Sequence, residues 1–350
     1  RASGTNARIR GVRSGENNAM VLRNELWSRV RNATRDPSCG PMTATILGAG
    51  SFAPENVVDN SSLVASRQLE TTPEWIASKT GILERRFADD GVKASDLATE
   101  AALRALEAAK ISPDDVDLFI VATSTPDYTM PATACLVQGN LGAEGGMAFD
   151  VSNACAGFVT AMDIAARMLQ TNTETAVVIG VDIGSRLVDP QDRTTSVFFG
   201  DGAGAVVLSS EGSGRVLASR VQSRGDSESL NVPVGGTMTM NGKAIWDFAT
   251  RVLPETVRYL CEKARVPVDE IKLLVPHQAN ENIIRCGATE VGISMDRVAL
   301  NIDRYGNTIG ASIPIALDEA LRQGRARPGD HVMLVGFGAG LSWGGNLLQL

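Results

Sequence analysis

The sequence predicts an α/β protein made of two duplicated halves packed about a pseudo-twofold axis, and three observations carry that prediction. The segments Leu118-Phe119-Ile120-Val121, 176–179, Leu273-Leu274-Val275 and 332–335 are unbroken apolar runs, the pattern of strands covered by helices on both faces. Alanine-rich stretches of helical period alternate with these runs, so the units read strand–helix–strand and imply mostly parallel or mixed sheets in layers. The same units then recur further along the chain.

The recurrence can be followed element by element. Asp96-Leu97-Ala98-Thr99 begins a helix running to about residue 110, and Ser112-Pro113-Asp114-Asp115 leads into the strand at 118–121. Asp247-Phe248-Ala249-Thr250 begins a helix to about residue 265, and Pro267-Val268-Asp269-Glu270 leads into the strand at 273–275. The offset is 151 residues at the first pair and 154 at the prolines, one short insertion. The strand at 176–179, ending in Gly180, matches 332–335, ending in Gly336, and a helical pattern precedes each, at 157–169 and at 311–322. The halves therefore span 42–215 and 216–350, and helix starts that follow strand ends converge on one central place.

Charge and composition narrow the function. Residues 1–41 hold eight arginines and three acidic residues, leaving 25 basic and 37 acidic residues in the remainder. An acidic body argues against nucleic acid as the main partner. Residues 1–41 lack the apolar core of a secretory signal and are read as an extension of uncertain role, because Met42 opens the first clear strand. No apolar run approaches the roughly 18–20 residues of a membrane span, so a soluble, cytoplasmic protein without a membrane partner is expected. The five cysteines are odd in number, widely spaced and free of CxxC pairs. That pattern suits a reducing compartment and gives neither a disulfide framework nor a metal site.

Cys155 lies in Ser152-Asn153-Ala154-Cys155-Ala156-Gly157-Phe158, after the strand expected at Met147–Val151 and at the start of a helix. Free N–H groups and the positive end of the helix dipole favour a thiolate there, and small neighbours let a substrate approach the sulfur. Of the two histidines, His277 stands in Val275-Pro276-His277-Gln278-Ala279-Asn280, at the carboxyl end of a strand, where open α/β sheets place ligands. His331 begins a strand and is taken as structural. Asn307, in Tyr305-Gly306-Asn307-Thr308-Ile309-Gly310, precedes the helix that corresponds to the one after Cys155. Cys155, His277 and Asn307 thus share one edge of the expected sheets.

From Met42 to Leu350 the chain resembles the thiolase-fold condensing enzymes, most closely the β-ketoacyl-acyl-carrier-protein synthase III family. The resemblance rests on Trp75-Ile76 with Thr80-Gly81-Ile82, the Cys155 segment, Asp192-Arg193-Thr194, and Phe199-Gly200-Asp201-Gly202-Ala203-Gly204-Ala205. It continues through Pro276-His277-Gln278-Ala279-Asn280, Tyr305-Gly306-Asn307-Thr308, and Gly336-Phe337-Gly338-Ala339-Gly340 with Trp343-Gly344. It implies a layered αβαβα fold and an acyl-CoA-primed decarboxylative condensation with a malonyl thioester, carried by acyl carrier protein or CoA. Cys155 would hold the acyl group, and the N–H groups of Cys155 and Gly340 would form the oxyanion hole. His277 and Asn307 would stabilise the enolate left by loss of CO₂. Trp75 and Arg193 would sandwich the CoA adenine, Lys79 would meet a phosphate, and Asn280 the pantetheine arm. Phe198 and Phe199 would line the acyl pocket, into which Met130 would reach from the other subunit of a homodimer. No metal and no cofactor is implied, CoA being a substrate.

Two departures bear on the acceptor. Asn282 and Glu290 stand where the family presents basic residues to an acidic carrier protein, although Arg285 remains, and the segment 225–243 is short. The condensation would then serve fatty-acid initiation or a specialised, secondary-metabolite pathway as its starter enzyme, and a same-fold acyltransferase to a hydroxyl or amine stays open as a second reading. The order Cys155, His277, Asn307 is also that of a cysteine hydrolase, in which asparagine orients the histidine, although that class's signature around the cysteine is absent.

Overall fold

The computed structural model describes residues 41–350, so the amino-terminal extension lies outside the described residues. Burial along a single strand shows how the layers arise. In Leu118–Ala122 every residue is buried. Leu118, Ile120 and Ala122 face one apolar cluster, whereas Phe119 and Val121 face another. Successive side chains point to opposite faces of a strand, so a strand apolar on both faces has to be covered twice.

The inner cluster joins two sheets through the helices Gly157–Met168 and Ser312–Arg322, which contribute Phe158, Met162, Ile313 and Leu317, among others. Truncating a fully buried member such as Phe158 to alanine would cost about 3–5 kcal/mol. Outside the first sheet, Ala94–Ala109 packs its alanine face on Phe119, Val121 and Val177. Outside the second, Gly242–Ala264 and Glu281–Val291 cover Ile271, Leu274, Met333 and Val335. The order is helix, sheet, helix, sheet, helix, the layered arrangement that the resemblance implies.

Among the described residues, each of the two main sheets has five strands. The first runs Thr45–Phe52, Asp201–Ser209, Thr175–Ile183, Leu118–Ala122, Met147–Val151, and the second runs Met42–Thr43, Arg215–Asp226, Gly340–Gln349, His331–Gly338, Ile271–Pro276. Leu118–Ala122 pairs in parallel with both its neighbours, and Ile271–Pro276 pairs in parallel with His331–Gly338. The other pairings in these two sheets are antiparallel, so of the two expected arrangements the sheets take the mixed one. The returning strands Asp201–Ser209 and Gly340–Gln349 carry no crossover helix that would enforce a parallel approach. The strand that opens at Met42 is two residues long and joins the second sheet; the long edge strand of the first sheet starts at Thr45.

Two turns stand out. Ala154 has φ 43° and opens the 3-10 turn Ala154–Ala156, which runs into Gly157–Met168. Ile309 has φ 51° and opens Ile309–Ala311, which runs into Ser312–Arg322. A left-handed β-branched residue is strained, and it persists where its surroundings hold it.

Candidate active site

Cys155, His277 and Asn307 line one cavity of about 150 Å³, together with Leu187, Phe198, Phe199, Met238, Phe337, Gly338 and Ala339. The three polar residues come from different elements: the turn after Met147–Val151, the end of Ile271–Pro276, and the loop after Ile302–Tyr305.

Cys155 is 6% exposed. Gly338 packs on it so closely that a Cβ there would lie 2.7 Å from the Cys155 Cβ and 3.0 Å from Sγ. Burial pushes the Cys155 thiol well above its ordinary range, and the charge of Asp182 pushes it the same way. Burial and Asp182 therefore oppose the pull toward a thiolate expected from the helix start.

His277 is 1% exposed, and burial lowers its pKa to about 3, so the ring is neutral at physiological pH. Its Nδ1 lies 2.7 Å from the Ser312 hydroxyl. Phe337 packs edge-on against the ring at 5.4 Å between centroids. Asn307 is clamped through its backbone, its N–H donating to Phe198 O at 2.8 Å and its carbonyl accepting from Gly200 N–H at 3.0 Å. Its Oδ1 accepts from Ile309 N–H at 2.9 Å, which leaves the amide N–H pair for the cavity. Asn307 therefore does not orient His277 as a cysteine hydrolase requires; Ser312 holds that place.

The glycine-rich segment 336–340 meets the cavity through its middle residues. Gly338 and Ala339 are at the wall, whereas Gly340 already pairs with Asp226 in the second sheet. Sequence reasoning also missed Asp182, a fully buried carboxyl that accepts from Ser124 N–H at 2.7 Å and Gly310 N–H at 2.8 Å. Burial raises it to about 7 against the pull of those N–H groups. Neither Asp182 nor Ser312 lies in a recognisable motif. Both act through the chain's return to the site, which spacing does not reveal.

At the surface, the Arg193 guanidinium lies 5.6 Å above the Trp75 ring. A flat group inserted between them would need about 7 Å, two contact distances, so the pair must open slightly to sandwich one. Thr72 caps the helix Pro73–Thr80 that presents Trp75 and the exposed Lys79. Asn280 lines the cavity but already caps Glu281–Val291 and donates to Lys79 O at 2.9 Å. Asn282 donates to the same carbonyl at 3.0 Å, tying the two helices together. Glu290 forms an ion pair with Arg258 at 3.0 Å, so its charge is compensated rather than free, and Arg285 pairs with Glu281. The segment 225–243 holds the ribbon Leu230–Asn231 with Thr239–Met240, which walls the cavity with Leu230, Val232 and Met238. Met130 is 81% exposed and does not line the cavity of its own chain. His331 begins its strand 3.9 Å from Glu270, away from the site.

A duplicated five-layer α/β body with a buried cysteine at the head of an inner helix defines a thiolase-fold enzyme. The family description 3-oxoacyl-[acyl-carrier-protein] synthase III matches residues 149–225, and its C-terminal counterpart matches 261–350. The chain is 43% identical to β-ketoacyl-[acyl-carrier-protein] synthase III of Clostridioides difficile over 323 residues, covering 87% of this chain and 98% of that protein. It is 44% identical to the protein of the same description from Bordetella petrii over 321 residues, covering 88% and 98%. The crystal structure of 3-oxoacyl-[acyl-carrier-protein] synthase III from Aquifex aeolicus superposes with a TM-score of 0.84 at 42% identity, covering 89% of this chain and all of that one. The chain belongs to the β-ketoacyl-acyl-carrier-protein synthase III family.

Proposed function

We propose that the protein condenses an acyl group from acyl-CoA with a malonyl thioester to give a 3-oxoacyl thioester and CO₂. The observation that supports this most is the convergence of a buried cysteine with two neutral hydrogen-bonding side chains, His277 and Asn307, on one apolar cavity. Sγ of Cys155 attacks the thioester carbonyl of acyl-CoA, and the N–H groups of Cys155 and Ala339 take the oxyanion. The C–S bond to CoA breaks, and the thiol proton leaves with the CoA thiol, so the exchange starts from a thiol and needs no net base. In the second half, His277 and Asn307 donate to the thioester oxygen of the malonyl group. The bond to CO₂ breaks, its electron pair becomes the enolate, and the enolate carbon attacks the Cys155 thioester. Cys155 is released as thiolate and takes up a proton. A neutral imidazole suits this role, because a buried cation would have to lose its hydration.

Trp75, Arg193 and Lys79 would receive the nucleotide end of CoA at the cavity mouth. Met130 would complete the acyl pocket of a second subunit in a cytoplasmic homodimer, with no cofactor beyond the substrate thioester. Intact-mass measurement after incubation with a series of acyl-CoAs tests the reading. The acyl mass should appear on the wild type and be absent from Cys155→Ala; an adduct that persists in the variant overturns it.

A further inference from the structure

We propose that Ser312 is a positioning residue that sets the tautomer of His277: its hydroxyl donates to Nδ1 and so leaves Nε2–H as the ring's donor into the cavity. The inference rests on the condensing reading of the site. Ser312 is 2% exposed and has a single hydroxyl proton with two acceptors in reach, His277 Nδ1 at 2.7 Å and Ile309 O at 3.0 Å. Only one can receive it. Were it given to Ile309, Nδ1 would have to carry the ring proton and Nε2 would face the cavity as a bare lone pair, opposed to the oxygen of an enolate.

Three features favour the other arrangement. Ile309 O already accepts from the Ser312 backbone N–H, so it does not need the hydroxyl. The contact to Nδ1 is the shorter of the two. The Ser312 oxygen also lies 3.4 Å from Gln278 N–H, so donating to Nδ1 leaves it one incoming and one outgoing bond instead of two incoming donors. The cavity is lined by His277 but not by Ser312, so the Nδ1 edge of the ring points away from the substrate and the Nε2 edge toward it. Which ring nitrogen carries the proton is set by the bond the other one makes. The corresponding residue of the duplicated turn is Gly157, without a hydroxyl, and no histidine stands over it.

The sequence makes the test direct, because the chain has only two histidines. Long-range proton–nitrogen correlation on ¹⁵N-histidine-labelled protein, with His277→Gln to assign the rings, should show Nε2 protonated and Nδ1 bare in the wild type. Ser312→Ala should shift His277 toward the Nδ1–H form and slow CO₂ release from malonyl-CoA by about 10–10²-fold. That is less than the loss of the donor itself. Acylation of Cys155, followed by mass, should change far less, and Ser312→Thr should restore both the tautomer and CO₂ release. A wild-type ring protonated at Nδ1 overturns the proposal on its own, even if the alanine variant fails to fold. An alanine variant with unchanged tautomer and unchanged CO₂ release overturns it as well. Failure of the condensing reading would look different: no acyl adduct and no CO₂ from the wild type, whatever its tautomer.

Discussion

In the first half the chain leaves Met147–Val151, passes through Ala154 at φ 43° and starts the helix Gly157–Met168; in the second it leaves Ile302–Tyr305, passes through Ile309 at φ 51° and starts Ser312–Arg322. The backbone solution is the same, and the side chains placed on it differ. Where the first turn holds Cys155, the second holds Gly310, and a Cβ there would lie 3.1 Å from Asp182 Oδ2 and 3.4 Å from Ala122 O. The second turn instead carries Asn307 ahead of the strained residue and Ser312 behind it. Duplication supplies two strained helix starts aimed at one cavity, and the departures from duplication supply the chemistry: a nucleophile on one, hydrogen-bonding groups on the other.

The largest effect should come from separating the two turns functionally. Asn307→Ala should reduce CO₂ release from malonyl-CoA by about 10²–10³-fold, the usual loss for one such donor, while Cys155 still takes an acyl group. Equal losses in both half-reactions would show that the turns do not divide the work. Gly310→Ala should test how tightly the second turn is held. Overpacking against a buried carboxyl and backbone costs about 1–3 kcal/mol, read from the denaturant midpoint. A variant as stable as the wild type would mean the turn yields freely.

Asp182 ties the second turn, through Gly310 N–H, to the loop at Ser124, and its pH dependence follows from its burial. Its folded pKa, about 7, lies above the ordinary carboxyl value of 3.8, so the folded state holds the proton more tightly than the unfolded chain. Its contribution to stability is therefore full below the ordinary value and is lost as pH rises toward about 7. Thermal midpoints should fall across that range, and Asp182→Asn should flatten this part of the profile. A profile of equal slope in the variant removes Asp182 from the account.

The layered body was legible because apolar periodicity reports burial directly: the unbroken run at 118–121 demands cover on both faces, and both covers are there. Cys155, His277 and Asn307 were legible because each follows a readable element boundary. The upward push on the Cys155 thiol was not, because burial is a property of the assembled cavity. Ser312 and Asp182 were not, since their partners lie 35 and 128 residues away in the chain. Glu290 illustrates the same limit at the surface, where Arg258 from another helix cancels the charge that the sequence left bare.

That pairing gives the smallest of the predictions. Glu290→Lys would release Arg258 as well as add a charge, turning a compensated site strongly positive. Condensation with malonyl-carrier protein should rise several-fold at low salt and converge with the wild type at high salt, as expected of a change in encounter rate. Cys155 acylation should stay unchanged. A gain that ignores ionic strength would place the effect elsewhere.

Gly338 limits how this site can vary. A side chain there would occupy the space of the Cys155 Cβ and sulfur, at 2.7 and 3.0 Å. No substitution at 338 is compatible with the nucleophile where it stands, since even one methyl group has nowhere to go. An inhibitor that rests on the main chain at this point would touch a surface with no mutational escape at that residue. Room for variation lies elsewhere along the wall, as in the apolar ribbon around Leu230 and Met238, where side chains line the cavity.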